Sequence, residues 1–384
     1  VSPGASRTGT HATLGPDPTR AALDARVLAW LREPLAIGAA SVPDSERFDA
    51  LARALFAFQF EHCAPYRQFC TARGRTPATI RCWSEIPALP TGAFKEFTLR
   101  SFPSEYTRCV FRTSGTTTER RGALHLDTLE LYEASLLPSF RRAVLPDLAP
   151  GARMRIRVLA PAPAEAPDSS LSHMFGVVLR ELGDARSGFD VRGGVLDVRG
   201  LRETLEAARD DAVPVLLCGT AFAFVHLLDA LAADRALLAL PPGSRIMETG
   251  GFKGRSRDLP RAELYDAIEA ALGVSPDRIV NQYGMTELGS QFYDSVLHVP
   301  GSPRRKLAPP WTRVRILDPE NGEEAAPGAI GIVQIFDLAN TGSILAIQTA
   351  DLGRTLADGF DVLGREVGAE ARGCSIAADE MLGA

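Results

Sequence analysis

The feature that most restricts how this chain can fold is an alternation that begins at about residue 150. Strand-like segments ("RMRIRVLA", "VPVLLCG", "SRIMETGG", "DRIVNQYG") alternate with segments whose apolar residues recur at helical spacing. The helical ones are "LSHMFGVVLRELG", "LRETLEAARDDA", "TAFAFVHLLDALAADRALLAL" and "RAELYDAIEAALG". Strands joined through helices pair in parallel, so the pattern predicts a layered α/β sheet. Ligands of such sheets sit beyond the carboxyl ends of the strands.

The flanking regions differ. "AALDARVLAWLRE" and "SERFDALARALFAFQFEHCAPYRQFCTAR" have helical periodicity, with Asp44 and Ser45 available as caps. Residues 1–25 begin with a Gly, Pro, Ser and Thr-rich run that lacks an apolar core, which predicts a flexible tail and not a signal peptide. The prolines of "SEIPALPTGAFKEF" predict a bent connector. From about residue 305, "WTRVRILD", "GAIGIVQIFD" and "ILAIQTADLG" are strand-like and are separated by turn residues, which predicts a small antiparallel sheet or distorted barrel. The expected division is a tail (1–25), a core (26–360) and a short segment, 361–384, that contains Cys374.

A net charge of −5 over 384 residues supplies no basic excess for nucleic acid or an anionic membrane, and no apolar run reaches the roughly 20 residues of a membrane span. The expected partners are small molecules or proteins. Six cysteines without a CxxC pair, and no clustered histidines, suggest neither a zinc site nor a disulfide framework, and fit a reducing cytoplasm.

Four clusters fall at expected turns. Thr113, Ser114, Gly115, Thr116, Thr117 and Thr118 make a loop dense in small donors, followed by Arg120, Arg121 and Gly122, a composition suited to holding polyphosphate. "METGGFKG" runs a strand into Gly250 and Gly251. "YGMTELGSQ" sets Tyr283, Gly284, Thr286 and Glu287 after a parallel strand, and "TADLGR" sets Asp351 and Arg354 after another. Each cluster alone also reads as an ordinary turn.

In this order they resemble the adenylate-forming (ANL) superfamily of acyl-CoA synthetases, adenylation domains and luciferases. Its phosphate loop [ST]SGTTGxPKG aligns with residues 113–122, with Thr118 for Gly and Arg121 for Lys; YGxTE matches at 283–287, and TGD matches as "TAD" with Ala350 for Gly. The similarity covers roughly residues 80–374. "PALPTGAFKEF", "GGFKG" and "GREVGAEARGCSIAADE" are most similar to the LuxE-type acyl-protein synthetases, with phenylacetate-CoA ligases the nearest comparison outside that family.

The resemblance implies an ANL-type N-terminal domain of layered, mostly parallel sheets with a small β-barrel-like subdomain and a truncated C-terminal domain. It implies ATP and Mg²⁺ as cofactors, a carboxylic acid as substrate, and a carrier protein, acceptor protein or CoA as partner. The loop 113–118 and Arg121 would hold the β and γ phosphates, Thr286 the α-phosphate, and Glu287 the metal. Gly250, Gly251 and Tyr283 would flank adenine, Asp351 the ribose hydroxyls with Arg354 nearby, and His173 would guide the acid. His173 alone also reads as a core histidine with a satisfied hydrogen bond. The acid pocket is expected near His173, Met174, Met247 and Phe252. The lysine of the superfamily's C-terminal domain has no counterpart, the last lysine being Lys306.

The chemistry is coherent. A carboxylate is a poor electrophile, so it first attacks the α-phosphorus of ATP, and a thiol then opens the mixed anhydride. Such steps depend on positioning and on neutralising charge over nonbridging oxygens. The resemblance makes Cys374 the acyl-carrying thiol, beside Gly373 and near Arg372. Two other readings stand: an acyl- or aryl-CoA ligase that makes no use of Cys374, and a non-catalytic nucleotide-binding subunit of a complex.

Overall fold

The computed structural model describes residues 17–35, 44–114, 120–234, 237–250 and 260–365. Helix α1 spans Pro18–Leu31 and starts inside the segment expected as tail. Asp17 fixes that start, because its carboxylate accepts from the backbone of Thr19 and Arg20 while Pro18 occupies the first turn, where no amide hydrogen is needed. Asp44 caps α2 (Ser45–His62) through Arg47 N. The expected long helix breaks at Cys63, and α3 (Ala64–Ala72) restarts with Pro65 in its first turn, since proline is tolerated there and not in a helix interior.

The proline-rich connector supplies a two-residue strand β1 (Leu89–Pro90) and a single helical turn α4 (Ala93–Glu96). Strands β2 (Cys109–Arg112) and β3 (Ala123–Leu126) make a separate hairpin, which helical and parallel-strand periodicity did not foresee. Helix α5 (Glu130–Val144) follows.

The alternating region folds as expected: β4 (Arg155–Pro161), α6 (Ser170–Leu182), a β5–β6 hairpin (Gly188–Arg192 and Val195–Leu196), α7 (Val198–Asp210), β7 (Val215–Thr220), α8 (Ala221–Ala233), β8 (Arg245–Thr249), α9 (Arg261–Leu272) and β9 (Ile279–Tyr283). Helix α8 stops at Ala233, well short of the apolar run that follows it. Strands β4, β7, β8 and β9 pair in parallel. Alternate residues face opposite cores: Val215, Leu217, Ile246 and Ile279 pack with α7, α8 and α9, while Leu216, Cys218, Met247 and Val280 pack with α1, α2, α5 and α6. Both faces of the sheet are thus covered by helices, the arrangement parallel strands require.

The remaining strands are β10 (Phe292–Asp294), β11 (Lys306–Leu307), β12 (Thr312–Leu317), β13 (Ile330–Asp337), β14 (Ala346–Leu356) and β15 (Gly359–Arg365). Strands β12 to β15 are antiparallel, as expected. They continue the parallel sheet edge to edge, in the order β12-β13-β14-β15-β11-β10-β9-β8-β7-β4-β5-β6, with β1 beside β14. No helix among the described residues is long and apolar enough to cross a membrane.

Candidate active site

The hairpin β2–β3 presents the hydroxyl-rich loop. Thr113 N donates to Gly122 O and Gly122 N donates to Thr113 Oγ1, both at 2.9 Å, so Thr113 and Ser114 stand at one root of the loop and Arg121 at the other. Gly115, Thr116, Thr117 and Thr118 lie outside the described residues. Arg121 is committed to the hairpin: Nε donates to Thr113 O at 2.6 Å, Nη2 to Arg112 O at 3.3 Å, and Nη1 pairs with Asp168 at 2.8 Å. Arg112 N also donates to Asp168 O at 2.8 Å. Asp168, which no motif singled out, therefore straps the loop's root to the segment before α6.

The turn after β9 meets this root. Thr286 Oγ1 lies 3.4 Å from Arg112 O, joining residues 174 apart in sequence. A Cβ on Gly284 would lie 2.5 Å from Gln282 Nε2, so a larger residue there would displace the end of that side chain. Glu287 is buried at 7% exposure, and its carbonyl accepts from Asn340 Nδ2 at 2.8 Å. At the end of β8, Gly250 turns the chain with φ of +78°, a left-handed conformation that glycine adopts without strain. Gly251 and Phe252 lie outside the described residues, and Met174 and Met247 are core residues at 1% and 0% exposure.

Asp351 and Arg354 do not follow a strand; both lie within β14, which extends past the "TAD" motif to Leu356 because β15 folds back along it. Tyr283 Oη donates to Asp351 Oδ2 at 2.8 Å. Arg354 pairs with Asp361 at 3.1 Å across to β15. His173 sits in the first turn of α6, and its Nε2 lies 3.0 Å from Glu133 Oε1. Tyr283, Thr286, the loop's root and Asp351 are thus linked by direct contacts, whereas Arg121 and Arg354 are each held by a carboxylate.

Lys306, the last lysine, is 2% exposed and bonds Asp294 Oδ1 at 2.5 Å and Asn281 O at 3.0 Å. Burial pushes its amine below the ordinary lysine range while Asp294 opposes that displacement. It therefore knits β9, β10 and β11 together and offers no charge to a ligand. Beside it, Glu248 accepts from Tyr265 Oη at 2.8 Å and Asn281 Nδ2 at 2.6 Å, and burial pushes its carboxyl up. The sequence carried no signal for this network, whose members come from separate strands and α9.

No group of three or more metal-ligating side chains occurs among the described residues. A hard cation that brings water and phosphate oxygens of its own needs few protein ligands, and Glu287 is a buried carboxylate.

Comparison with known proteins accords with this geometry. The family described as "Acyl-protein synthetase, LuxE" matches residues 32–383. The long-chain-fatty-acid–luciferin-component ligase of Aliivibrio fischeri is 24% identical over 309 residues, covering 79% of this chain and 78% of that protein. The ligase of the same name from Vibrio harveyi is 22% identical over 306 residues, with the same coverage. Among solved structures, 2-hydroxyisobutyryl-CoA ligase in an open conformation with 2-HIB-AMP and CoA superposes with a TM-score of 0.59 at 15% identity, covering 87% of this chain and 80% of that one. The same ligase in its postadenylation state gives 0.60 at 15% identity, covering 87% and 72%. At such identity these structures speak to the fold alone, which is that of adenylate-forming enzymes. The family match over most of its length means that the chain belongs to the LuxE family of acyl-protein synthetases.

Proposed function

We propose that this enzyme activates a hydrophobic carboxylic acid with ATP and passes the acyl group to a thiol, Cys374 being the first acceptor. The observation that carries the reading is the double contact of the 283–287 turn, with Arg112 at the loop's root through Thr286 and with Asp351 through Tyr283. One turn thereby spans the phosphate end and the ribose end of a nucleotide. The long-chain-fatty-acid ligases among its relatives suggest the substrate class.

The acid's carboxylate oxygen bonds to the α-phosphorus as the bond to pyrophosphate breaks. A thiolate then attacks the acyl carbon, AMP leaves, and the thiol's proton passes to solvent. Mg²⁺, when bound, offsets phosphate charge. Thr113, Ser114 and the loop to Thr118 would hold the phosphates, Glu287 would supply a carboxylate to the metal, Gly250 and Tyr283 would border the base, and Asp351 would accept from the ribose. Arg121 reaches a phosphate only by exchanging Asp168 for it.

Four of the described thiols, Cys63, Cys70, Cys109 and Cys218, are poor acceptors, which leaves Cys374 and the half-buried Cys82 as candidates, and the family resemblance favours Cys374. Burial pushes Cys63, Cys109 and Cys218 up, and Cys70 up to about 12, so their thiolates are scarce at neutral pH. Cys374 itself lies outside the described residues. Acid-dependent exchange of labelled pyrophosphate into ATP, with hexadecanoic acid first and a panel of other acids after it, tests the activation step. Absence of exchange with every acid would refute the reading and leave a nucleotide-binding subunit.

A further inference from the structure

Glu133 belongs to no motif, yet both of its carboxylate oxygens are engaged. Oε1 meets His173 Nε2 at 3.0 Å, and Oε2 accepts from Arg180 Nη2 at 2.8 Å. The contact ties the first turn of α5 to the first turn of α6. The hydrogen bond with His173, supported by Arg180, holds the Glu133 carboxyl below its usual range. The imidazole is walled by Phe111, with ring centroids 5.5 Å apart, and by Tyr132 at 5.8 Å. Tyr132 Oη donates to Ser170 O at 3.1 Å. Phe111 lies on β2, the strand that leads into the 113–118 loop, so the ring is fixed relative to that loop.

A carboxylate at Nε2 favours a proton on that nitrogen. Nδ1 has no hydrogen-bond partner among the described residues. In the neutral ring Nδ1 would offer a lone pair, which repels an arriving carboxylate; in the imidazolium it offers N–H.

We propose that Glu133 is a positioning residue that engages the Nε2–H of His173 and so leaves a cationic Nδ1–H to receive the acid as its carboxylate. This rests on the reading of His173 as the residue that guides the acid. The substrate then arrives ionised, the nucleophilic form, and no proton is transferred to it.

The test is a cycle of wild type, Glu133→Gln, His173→Ala and the double variant, with hexadecanoic acid as probe and pyrophosphate exchange as readout. Glutamine keeps the size and an acceptor oxygen while removing the charge. Glu133→Gln is expected to raise KM for the acid about tenfold, to change KM for ATP less than about twofold, and to add nothing once His173 is gone. A similar loss in both backgrounds, or equal changes in both KM values, indicates a structural role and overturns the proposal. If His173→Ala leaves KM for the acid unchanged while exchange continues, the reading of His173 has failed and Glu133 falls with it. A measurement independent of turnover is ¹⁵N spectroscopy of histidine-labelled protein, with the His173 signals identified by their loss in His173→Ala. Glu133→Gln is expected to move the Nε2 shift, and identical shifts in the two proteins overturn the proposal.

Discussion

The hydroxyl of Tyr283 donates to Oδ2 of Asp351 at 2.8 Å, although β10, β11 and β15 stand between their strands in the hydrogen-bonded order. Four strand spacings in a flat sheet would come to about 19 Å. A tyrosine, an aspartate and a hydrogen bond bridge roughly 13 Å at most. The sheet must therefore curl between β9 and β14, and the rings of Tyr283, Phe292 and Phe360, with centroids 5.4 to 6.3 Å apart, fill the inside of the curl. The curl is what carries the "TAD" segment to the end of the parallel sheet.

Removing either partner should weaken nucleotide binding more than chemistry. Asp351→Ala is expected to raise KM for ATP about tenfold with kcat changed less than about threefold, because ribose contacts are alike in ground and transition states. Tyr283→Phe, which keeps the ring and loses the donor, should have a smaller effect in the same direction. Saturation curves at fixed acid decide it; an unaltered ATP affinity in Asp351→Ala would mean that the ribose lies elsewhere.

Glu287→Gln preserves shape and removes the buried charge. Pyrophosphate exchange at limiting Mg²⁺ should fall at least about tenfold, equivalent to about 1.4 kcal/mol in the barrier. Exchange equal to wild type would take Glu287 out of the metal's coordination.

Cys374→Ser separates activation from transfer. Wild type incubated with ATP, Mg²⁺ and acid should gain the mass of the acyl group less water, and hydroxylamine should remove it. The variant should still release pyrophosphate and lose this adduct. An adduct that survives in Cys374→Ser, or one that never forms while acyl-CoA accumulates, would favour direct transfer to another thiol.

Asp337 gives a pH signature of stability. It is fully buried, accepts from Ser290 Oγ at 2.7 Å and Ala339 N at 3.0 Å, and burial pushes its carboxyl up to about 6. A carboxyl raised on folding stabilises fully below its unfolded pKa, and that contribution is lost as pH rises through the folded value. Relative to Asp337→Asn, wild type should lose about 2 kcal/mol of unfolding free energy between pH 4 and 7, most of it below about pH 6. Denaturant titrations of both proteins across that range should show it, and parallel stability profiles would contradict the burial argument.

The sequence by itself determined the α/β class, because alternation between two hydrophobic periods leaves parallel pairing as the way to bury both faces; Leu216 and Leu217 face opposite cores as that periodicity requires. It also determined the turns after β8 and β9, where Gly250 and Gly284 report backbone that a side chain would strain or crowd. Tertiary structure decided what periodicity cannot express. The strap through Asp168, the anchoring of His173 by Glu133 and the burial of Lys306 against Asp294 join residues from different elements, and their energies exist only once those elements pack. Asp351 shows the division most plainly: local pattern put it after a strand, whereas pairing with β15 draws it into β14, and curling of the sheet brings it to Tyr283. Local pattern fixes which face a residue presents, and the closing of distant strands fixes what that face meets.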